Sequence, residues 1–122
     1  MGGSSLCAEV LRQTLAPEGM RSRVRVLDTT DERAVRDAAA ALPPRATVFI
    51  VASKSGSTIE VTSLESYFRD WLAGHGIDTP GRHLVAITDP GTSLVTHAGA
   101  HGYRHPFLNP EDIGGRFSAL SL

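Results

Sequence analysis

Apolar residues fall into short unbroken runs separated by stretches with a helical period. Residues 48–52 and 83–88 are almost wholly apolar, without the alternation of a half-exposed strand, which is typical of strands buried in a parallel sheet. Shorter strands are predicted at 24–27 and 103–107. Apolar residues three and four apart between these strands predict helices, at 6–15, 32–42, 58–72, 92–100 and from 114 onward.

This alternation of strands and helices predicts an α/β fold. With apolar strands that need cover on both faces, we expect a three-layer α/β/α sandwich around a parallel sheet. The chain has 122 residues, which is the size of one domain or less. In such sheets ligands bind beyond the carboxyl ends of the strands, so the turns that follow the strands are the candidate sites.

Composition changes this expectation little. Hydrophobic residues make up 41% of the chain and charged residues 20%, and the formal net charge is −1. A near-neutral chain indicates neither a nucleic-acid nor a membrane-surface partner, and no apolar run has the length of about 20 residues that a membrane span needs. Cys7 is the single cysteine, which excludes an internal disulfide and favours a cytoplasmic location.

The turn after the first apolar strand carries the clearest chemistry. Residues 53–58 read Ser-Lys-Ser-Gly-Ser-Thr, with four hydroxyls among six residues, and Lys54 is the only lysine in the chain. A helix begins directly afterwards, and its first N–H groups are unpaired at the positive end of the helix dipole. The pattern predicts an anion site, most naturally for a phosphate. The alternative is a plain helix cap, for which one hydroxyl would suffice.

Two glycine-rich segments suggest further parts of a site. Residues 2–5 read Gly-Gly-Ser-Ser and are predicted to form a flexible turn that leads into the first helix. Residues 114–116 read Gly-Gly-Arg, where the backbone can approach a ligand closely and Arg116 adds a permanent cation for a phosphate or an oxyanion. The alternative for this second segment is a turn with a solvated arginine.

Other familiar motifs are missing or weak. A dinucleotide fingerprint and a P-loop are both absent, so we expect no cofactor. His97 and His101 lie four apart on a predicted helix and could face one metal, but two surface histidines are the simpler interpretation because no third ligand is spaced with them. No base is spaced with the serines as in a hydrolase, so nucleophilic catalysis is not supported.

Taken together, the motifs resemble the SIS (sugar isomerase) domain of glucose-6-phosphate isomerases. The resemblance extends over essentially all 122 residues and rests on three segments: residues 2–5, residues 52–60 (Ala-Ser-Lys-Ser-Gly-Ser-Thr-Ile-Glu) and residues 112–118 (Asp-Ile-Gly-Gly-Arg-Phe-Ser). The last is the most specific for this isomerase among SIS proteins. The first two look most like the isomerase half of bacterial transaldolase/glucose-6-phosphate isomerase fusions.

The resemblance implies roles for named residues. Ser53, Ser55 and Thr58 match the positions that bind the substrate phosphate, with Lys54 beside them in the same loop. Gly3 and Ser4 match positions that contact the sugar. Arg116 matches an arginine that stabilises a cis-enediolate intermediate, and Glu60 a glutamate that supports the ring-opening histidine.

The implied chemistry is the interconversion of glucose 6-phosphate and fructose 6-phosphate, a step of glycolysis and gluconeogenesis. It needs ring opening, proton abstraction at C2 and reprotonation at C1. In the family, the catalytic base, the ring-opening histidine and a late lysine follow the Gly-Gly-Arg segment. The expected sheet order is 2-1-3-4-5, whose first strand would precede the turn at 2–5. We therefore expect a fragment truncated at both ends and inactive by itself.

Two further functional classes remain open at this point: a non-catalytic SIS module that senses a sugar phosphate, and another SIS isomerase acting on a different phosphosugar. The partner expected in each case is a small sugar phosphate rather than a nucleic acid or a membrane. For the isomerase, the resemblance implies a homodimer or a fusion to a transaldolase domain.

Overall fold

The structure is a computed structural model that describes residues 2–21 and 23–110. Five α-helices and three strands follow one another in these ranges. The helices are α1 (Gly2–Leu15), α2 (Glu18–Arg21), α3 (Glu32–Ala40), α4 (Ile59–Gly74) and α5 (Ser93–Ala100), and the strands are β1 (Phe49–Ala52), β2 (Leu84–Thr88) and β3 (His105–Leu108). Short 3-10 helices, Pro44–Ala46 and Pro80–His83, precede β1 and β2.

The three strands form one parallel sheet in the order β1-β2-β3, with Val51 opposite Ala86 and Ile87 opposite Phe107. Each connection between neighbouring strands contains a helix, as parallel pairing requires. The prediction of an α/β fold with helices flanking a parallel sheet is confirmed, and the observed order agrees with strands 3-4-5 of the expected sheet.

The core consists of two apolar clusters that share Phe49. The first lies between the sheet and the helices α4 and α5, and its buried members are Val51, Leu84, Ala86, Leu94, Ala98 and Tyr103. The second joins α3 to α4 through Val35, Ala39 and Phe68. The ring of Phe49 lies 4.6 Å from that of Phe68, so β1 packs against the middle of α4 and fixes where this helix begins.

Local sequence explains the helix ends. Asp31 caps α3, because its Oδ1 accepts a hydrogen bond from the N–H of Ala34 at 2.9 Å. The helix α3 ends at Ala40, two residues before the predicted end and ahead of Pro43. The strands lie within one or two residues of the ranges predicted for 48–52, 83–88 and 103–107.

Two predictions are wrong. Residues 24–27 form no strand and are not part of the described sheet, which consists of β1, β2 and β3. Leu27 instead packs against the cluster between α3 and α4. Residues 2–5 are not a turn but the start of α1. None of the helices in the described ranges is both long and apolar enough to cross a membrane.

Candidate functional site

The hydroxyl loop, residues 53–58, connects the carboxyl end of β1 to α4. Ser53 continues the ladder into this loop, since its N–H donates to the carbonyl of Ile87 at 3.0 Å. The Ser53 side chain is buried, and its Oγ accepts a hydrogen bond from the N–H of Gly56 at 3.1 Å. The same Oγ lies 3.1 Å from Oγ1 of Thr58. Ser53 therefore holds the two ends of the loop together.

Gly56 allows this loop to lie close to α5. Its φ is +70°, a left-handed conformation that favours glycine, and a Cβ there would lie 2.8 Å from Cβ of Thr92 and 2.9 Å from the backbone nitrogen of Leu94. The hydroxyl of Ser93 donates to the carbonyl of Gly56 at 2.8 Å. The loop after β1 is thus fastened to the segment after β2.

The amino terminus of α4 has no cap from its own N-cap side chain. Thr58 occupies the N-cap position in an extended conformation, but its hydroxyl is paired with Ser53 and makes no hydrogen bond to a helix N–H. Ser55 and Ser57 are exposed, with their hydroxyls 3.2 Å apart. The arrangement leaves first-turn N–H groups and two surface hydroxyls available to an anion, which the plain-cap interpretation does not explain.

A second loop, residues 89–92 after β2, completes the site from the neighbouring strand. Nζ of Lys54 lies 2.6 Å from Oδ2 of Asp89. Oδ1 of Asp89 accepts a hydrogen bond from Nδ2 of Asn109 at 3.3 Å. The hydrogen bond from Lys54 lowers the pKa of Asp89, the bond from Asn109 adds to this effect, and partial burial opposes it. The Asp89 carboxylate is therefore firmly ionised at neutral pH.

Sequence reasoning missed this second loop as part of the site. Neither Asp89 nor Asn109 was among the candidate site residues. A usable signal was present, because adjacent parallel strands end at the same edge of a sheet and β1 and β2 were both predicted. That adjacency brings the two loops to one edge of the sheet, whereas the ion pair of Lys54 with Asp89 required the structure.

A separate polar cluster lies behind the hydroxyl loop, between α4, α5 and the segment before β3. Its centre is Glu65, whose side chain is 3% exposed. Oε1 of Glu65 accepts hydrogen bonds from the Tyr103 hydroxyl at 2.8 Å and from Nε of Arg69 at 3.0 Å. Nε2 of His97 lies 3.2 Å from the same oxygen but is not aligned for a hydrogen bond. We call these four residues the Glu65 cluster.

The environment of the Glu65 cluster shifts two pKa values in opposite directions. Burial would raise the pKa of Glu65, but the contacts with Tyr103, His97 and Arg69 outweigh it and lower the pKa. Burial, together with the hydrogen bond to Glu65, raises the pKa of Tyr103. Both shifts favour an ionised carboxylate and a neutral phenol, which is the arrangement that the hydrogen bond between them requires.

A cavity of about 140 Å³ separates the hydroxyl loop from this cluster. It is lined by Val51, Gly56, Val61, Thr62, Glu65, Ser93, Leu94 and His97. The rings of His97 and His101 are tilted against each other with centroids 4.3 Å apart, and the side chain of His97 is 37% exposed. Within residues 2–21 and 23–110, no three His, Cys, Asp or Glu side chains are grouped so that they could hold a metal ion.

The structure brings together four of the predicted site residues, which share the hydroxyl loop: Ser53, Lys54, Ser55 and Thr58. Glu60 follows in the first turn of α4 and is exposed. Gly3 and Ser4 lie in the first turn of α1, and the Ser4 side chain is not among those described. Arg116, with the whole Gly-Gly-Arg segment, lies outside the described residues.

Comparison with known proteins gives a consistent result. The phosphoglucose isomerase family profile matches residues 1–122. The chain is 36% identical over 122 residues to a glucose-6-phosphate isomerase of Thermus thermophilus, and 35% identical over 126 residues to one of Aromatoleum aromaticum. Each alignment covers 99% of this chain, but the chain spans only 29% and 23% of the lengths of those two relatives.

The fold also matches a solved structure that is longer than this chain. A crystal structure of a hypothetical protein from Thermus thermophilus superposes with a TM-score of 0.89 at 36% identity. The superposition covers 99% of this chain and 29% of that one. The parallel sheet and its flanking helices therefore belong to an architecture already observed in a longer protein.

Proposed function

Because the chain belongs to the phosphoglucose isomerase family, we propose that its hydroxyl loop binds the phosphate of a sugar phosphate. Residues 1–122 then form the SIS-type phosphosugar-binding domain of a glucose-6-phosphate isomerase. The substrates are glucose 6-phosphate and fructose 6-phosphate, which are interconverted in glycolysis and gluconeogenesis. The names of the relatives support this substrate pair, although the chain spans less than a third of their length.

One observation carries the proposal: the N-cap hydroxyl of Thr58 is turned away from α4, towards Ser53. The helix terminus therefore keeps donors for a ligand at the carboxyl end of a parallel strand, where sheets of this type bind phosphates. The exposed hydroxyl of Ser55 and the ammonium of Lys54 lie in the same loop. A dianion placed there meets the helix dipole, backbone N–H groups and a cation together.

The residues of the loop have different parts in this proposal. Ser55 donates its exposed hydroxyl to the phosphate, Thr58 donates its own while its Oγ1 accepts the hydrogen of Ser53, and Lys54 supplies charge. Ser53 is the least accessible, because its Oγ already accepts from Gly56 and contacts Thr58. Its contact with the phosphate requires the bond to Thr58 to be exchanged for one to the ligand.

The catalytic part of the proposal rests on the family. Gly3 and Ser4 contact the sugar, Arg116 stabilises the negative charge of a cis-enediolate as the proton moves between C2 and C1, and Glu60 supports the residue that opens the ring. These roles stay predictions, as do the cytoplasmic location and the assembly as a homodimer or a transaldolase fusion. An arginine at position 116 suits the oxyanion because its charge is permanent and its donors form a planar fork.

The test is a calorimetric titration of the chain with glucose 6-phosphate, with glucose as the ligand that lacks a phosphate. We expect binding of the phosphate ester only. Ser55→Ala and Thr58→Ala should each weaken it by about 10-fold to 100-fold, since a hydrogen bond to a charged group contributes about 1.5–3 kcal/mol. Ser63→Ala is the matched control, because Ser63 is an exposed hydroxyl of α4 one turn beyond the loop.

Equal affinity for glucose and glucose 6-phosphate would reject the phosphate site. Unchanged affinity in both loop variants would place the phosphate elsewhere. Loss of affinity in Ser63→Ala as well would show a general disturbance of α4 rather than the loss of a ligand contact.

A further inference from the structure

The ion pair of Lys54 with Asp89 lies inside the proposed phosphate site. Nζ of Lys54 is 2.6 Å from Oδ2 of Asp89, and the backbone N–H of Asp89 donates to the carbonyl of Lys54 at 3.4 Å. Nδ2 of Asn109 holds the other carboxylate oxygen at 3.3 Å. One oxygen of Asp89 therefore faces the lysine while the other is fixed by a buried asparagine.

This pairing has a direct consequence for an incoming anion. Lys54 is the only lysine of the chain, and its charge is matched by the carboxylate of Asp89. A ligand that takes over Lys54 must displace this carboxylate and then lie close to it. Two like charges at such short range repel each other, more strongly where one is partly buried, and the side chain of Asp89 is only 18% exposed.

We propose that Asp89 is a positioning residue that sets the charge selectivity of the site, an inference that rests on the proposed function. An anion that takes over Lys54 breaks the ion pair with Asp89, at a cost that is the same for a monoanion and a dianion. The repulsion from the Asp89 carboxylate, which Asn109 holds in place, is twice as large for the dianion. Asp89 therefore offsets part of the extra attraction that a dianion gains from Lys54 and from the terminus of α4, and it limits the preference for phosphate.

Two esters of glucose distinguish these ligands by charge with little change of shape. Glucose 6-phosphate carries close to two negative charges at about pH 7.5, since the second pKa of a phosphate ester is about 6. Glucose 6-sulfate has a tetrahedral group of similar size and a single charge. The ratio of their dissociation constants therefore measures charge selectivity.

The experiment compares the wild-type chain with Asp89→Asn by calorimetry at low salt, with both esters. Asparagine keeps the shape and the acceptor for Asn109 but removes the charge. We expect both esters to bind more tightly to Asp89→Asn, the phosphate ester by about tenfold and the sulfate ester by less, so that the preference for phosphate rises. Asp89→Ser is a second variant that keeps a favoured turn residue before Pro90.

Asp78→Asn is the matched control for the change in net charge. Asp78 is exposed and follows the carboxyl end of α4, at the opposite end of this helix from the hydroxyl loop. The ratio of the two dissociation constants should be the same in Asp78→Asn as in the wild-type chain. A thermal melt of each variant separates selectivity from folding, because a purely structural role would weaken both ligands equally.

A spectroscopic readout follows Lys54 itself. Reductive methylation with carbon-13 labels the single lysine and keeps its charge, so its methyl signal is one resonance besides the terminal amine. We expect this resonance to move in ligand-free Asp89→Asn, and to move in the wild type when glucose 6-phosphate is added.

The outcomes separate the two proposals. Weaker binding of both esters by Asp89→Asn would show that the carboxylate only holds Lys54 in place for the ligand, and it would overturn the charge-selectivity proposal while leaving the phosphate site intact. An unchanged ratio would overturn it as well. A wild-type chain that binds neither ester would reject the proposed function and this inference with it.

Discussion

Two carboxylates in this molecule have similar partners and opposite surroundings. Glu65 lies between helices with 3% of its side chain exposed and accepts hydrogen bonds from Tyr103 and Arg69. Asp89 lies at the carboxyl edge of the sheet, where it accepts bonds from Lys54 and Asn109. Each has one cationic and one neutral donor, and each has a lowered pKa.

Burial decides what each carboxylate can do. Glu65 connects α4 to α5 and to the segment before β3, and its removal would leave the buried Tyr103 hydroxyl without a described partner. Asp89 and Lys54 are both in contact with solvent, so either can exchange its partner for water or for a ligand. The Glu65 cluster is therefore a fixed support, and the pair at the sheet edge is exchangeable.

The largest expected effect tests the Glu65 cluster. Glu65→Ala should lower the free energy of unfolding by about 4 kcal/mol, since breaking a buried charged network leaves desolvated donors and a cavity. Urea unfolding at neutral pH measures it. Asp70→Ala, an exposed carboxylate on the same helix, should stay within about 0.5 kcal/mol. A loss below about 1 kcal/mol for Glu65→Ala would mean that the cluster is not structural.

The next effect tests how closely the hydroxyl loop packs against the start of α5. Gly56 and Gly91 have nearly the same φ, +70° and +74°, but only Gly56 has atoms within 4 Å of a Cβ position. Gly56→Ala should therefore cost about 1–3 kcal/mol more than Gly91→Ala, the usual cost of forcing atoms into a packed region. The comparison cancels the cost of the left-handed backbone, which both variants share.

Chemical denaturation of the two variants gives the difference directly. We also expect Gly56→Ala, and not Gly91→Ala, to weaken binding of glucose 6-phosphate, because the loop must move away from Thr92. Equal losses of stability would show that the approach of the hydroxyl loop to α5 is not close in solution.

The sequence was sufficient for features that depend on local pattern. The apolar runs placed β1 and β2. The hydroxyl loop was found because its residues are contiguous. Residues 24–27 have the pattern of a strand, yet a strand also needs a neighbour to pair with, and that information is not local.

The features that the sequence did not reveal are long-range contacts. Lys54 and Asp89 are 35 residues apart, and Tyr103 and Glu65 are 38 apart. Glu65 looks like any polar residue on an amphipathic helix, and only the packing of α5 and Tyr103 over it makes it a buried group. The fold class and the loop were therefore predictable, whereas the difference between the two carboxylates was not.

The smallest expected effect concerns Asp89 in acid. Its pKa is lowered in the folded chain, first by the bond from Lys54, so its stabilisation is present above the ordinary carboxyl pKa of 3.8 and is lost as the pH falls through the folded value. The difference in unfolding free energy between wild type and Asp89→Asn should be small at neutral pH and should decrease as the pH falls below 3.8 through the lowered folded pKa. It should also shrink at high salt, because the pair is exposed to screening ions. Urea unfolding at about pH 7, 5 and 3 measures it, and a difference that does not decrease between the two lower pH values would show that Asp89 stabilises the fold through its shape or its contact with Asn109 rather than through its charge.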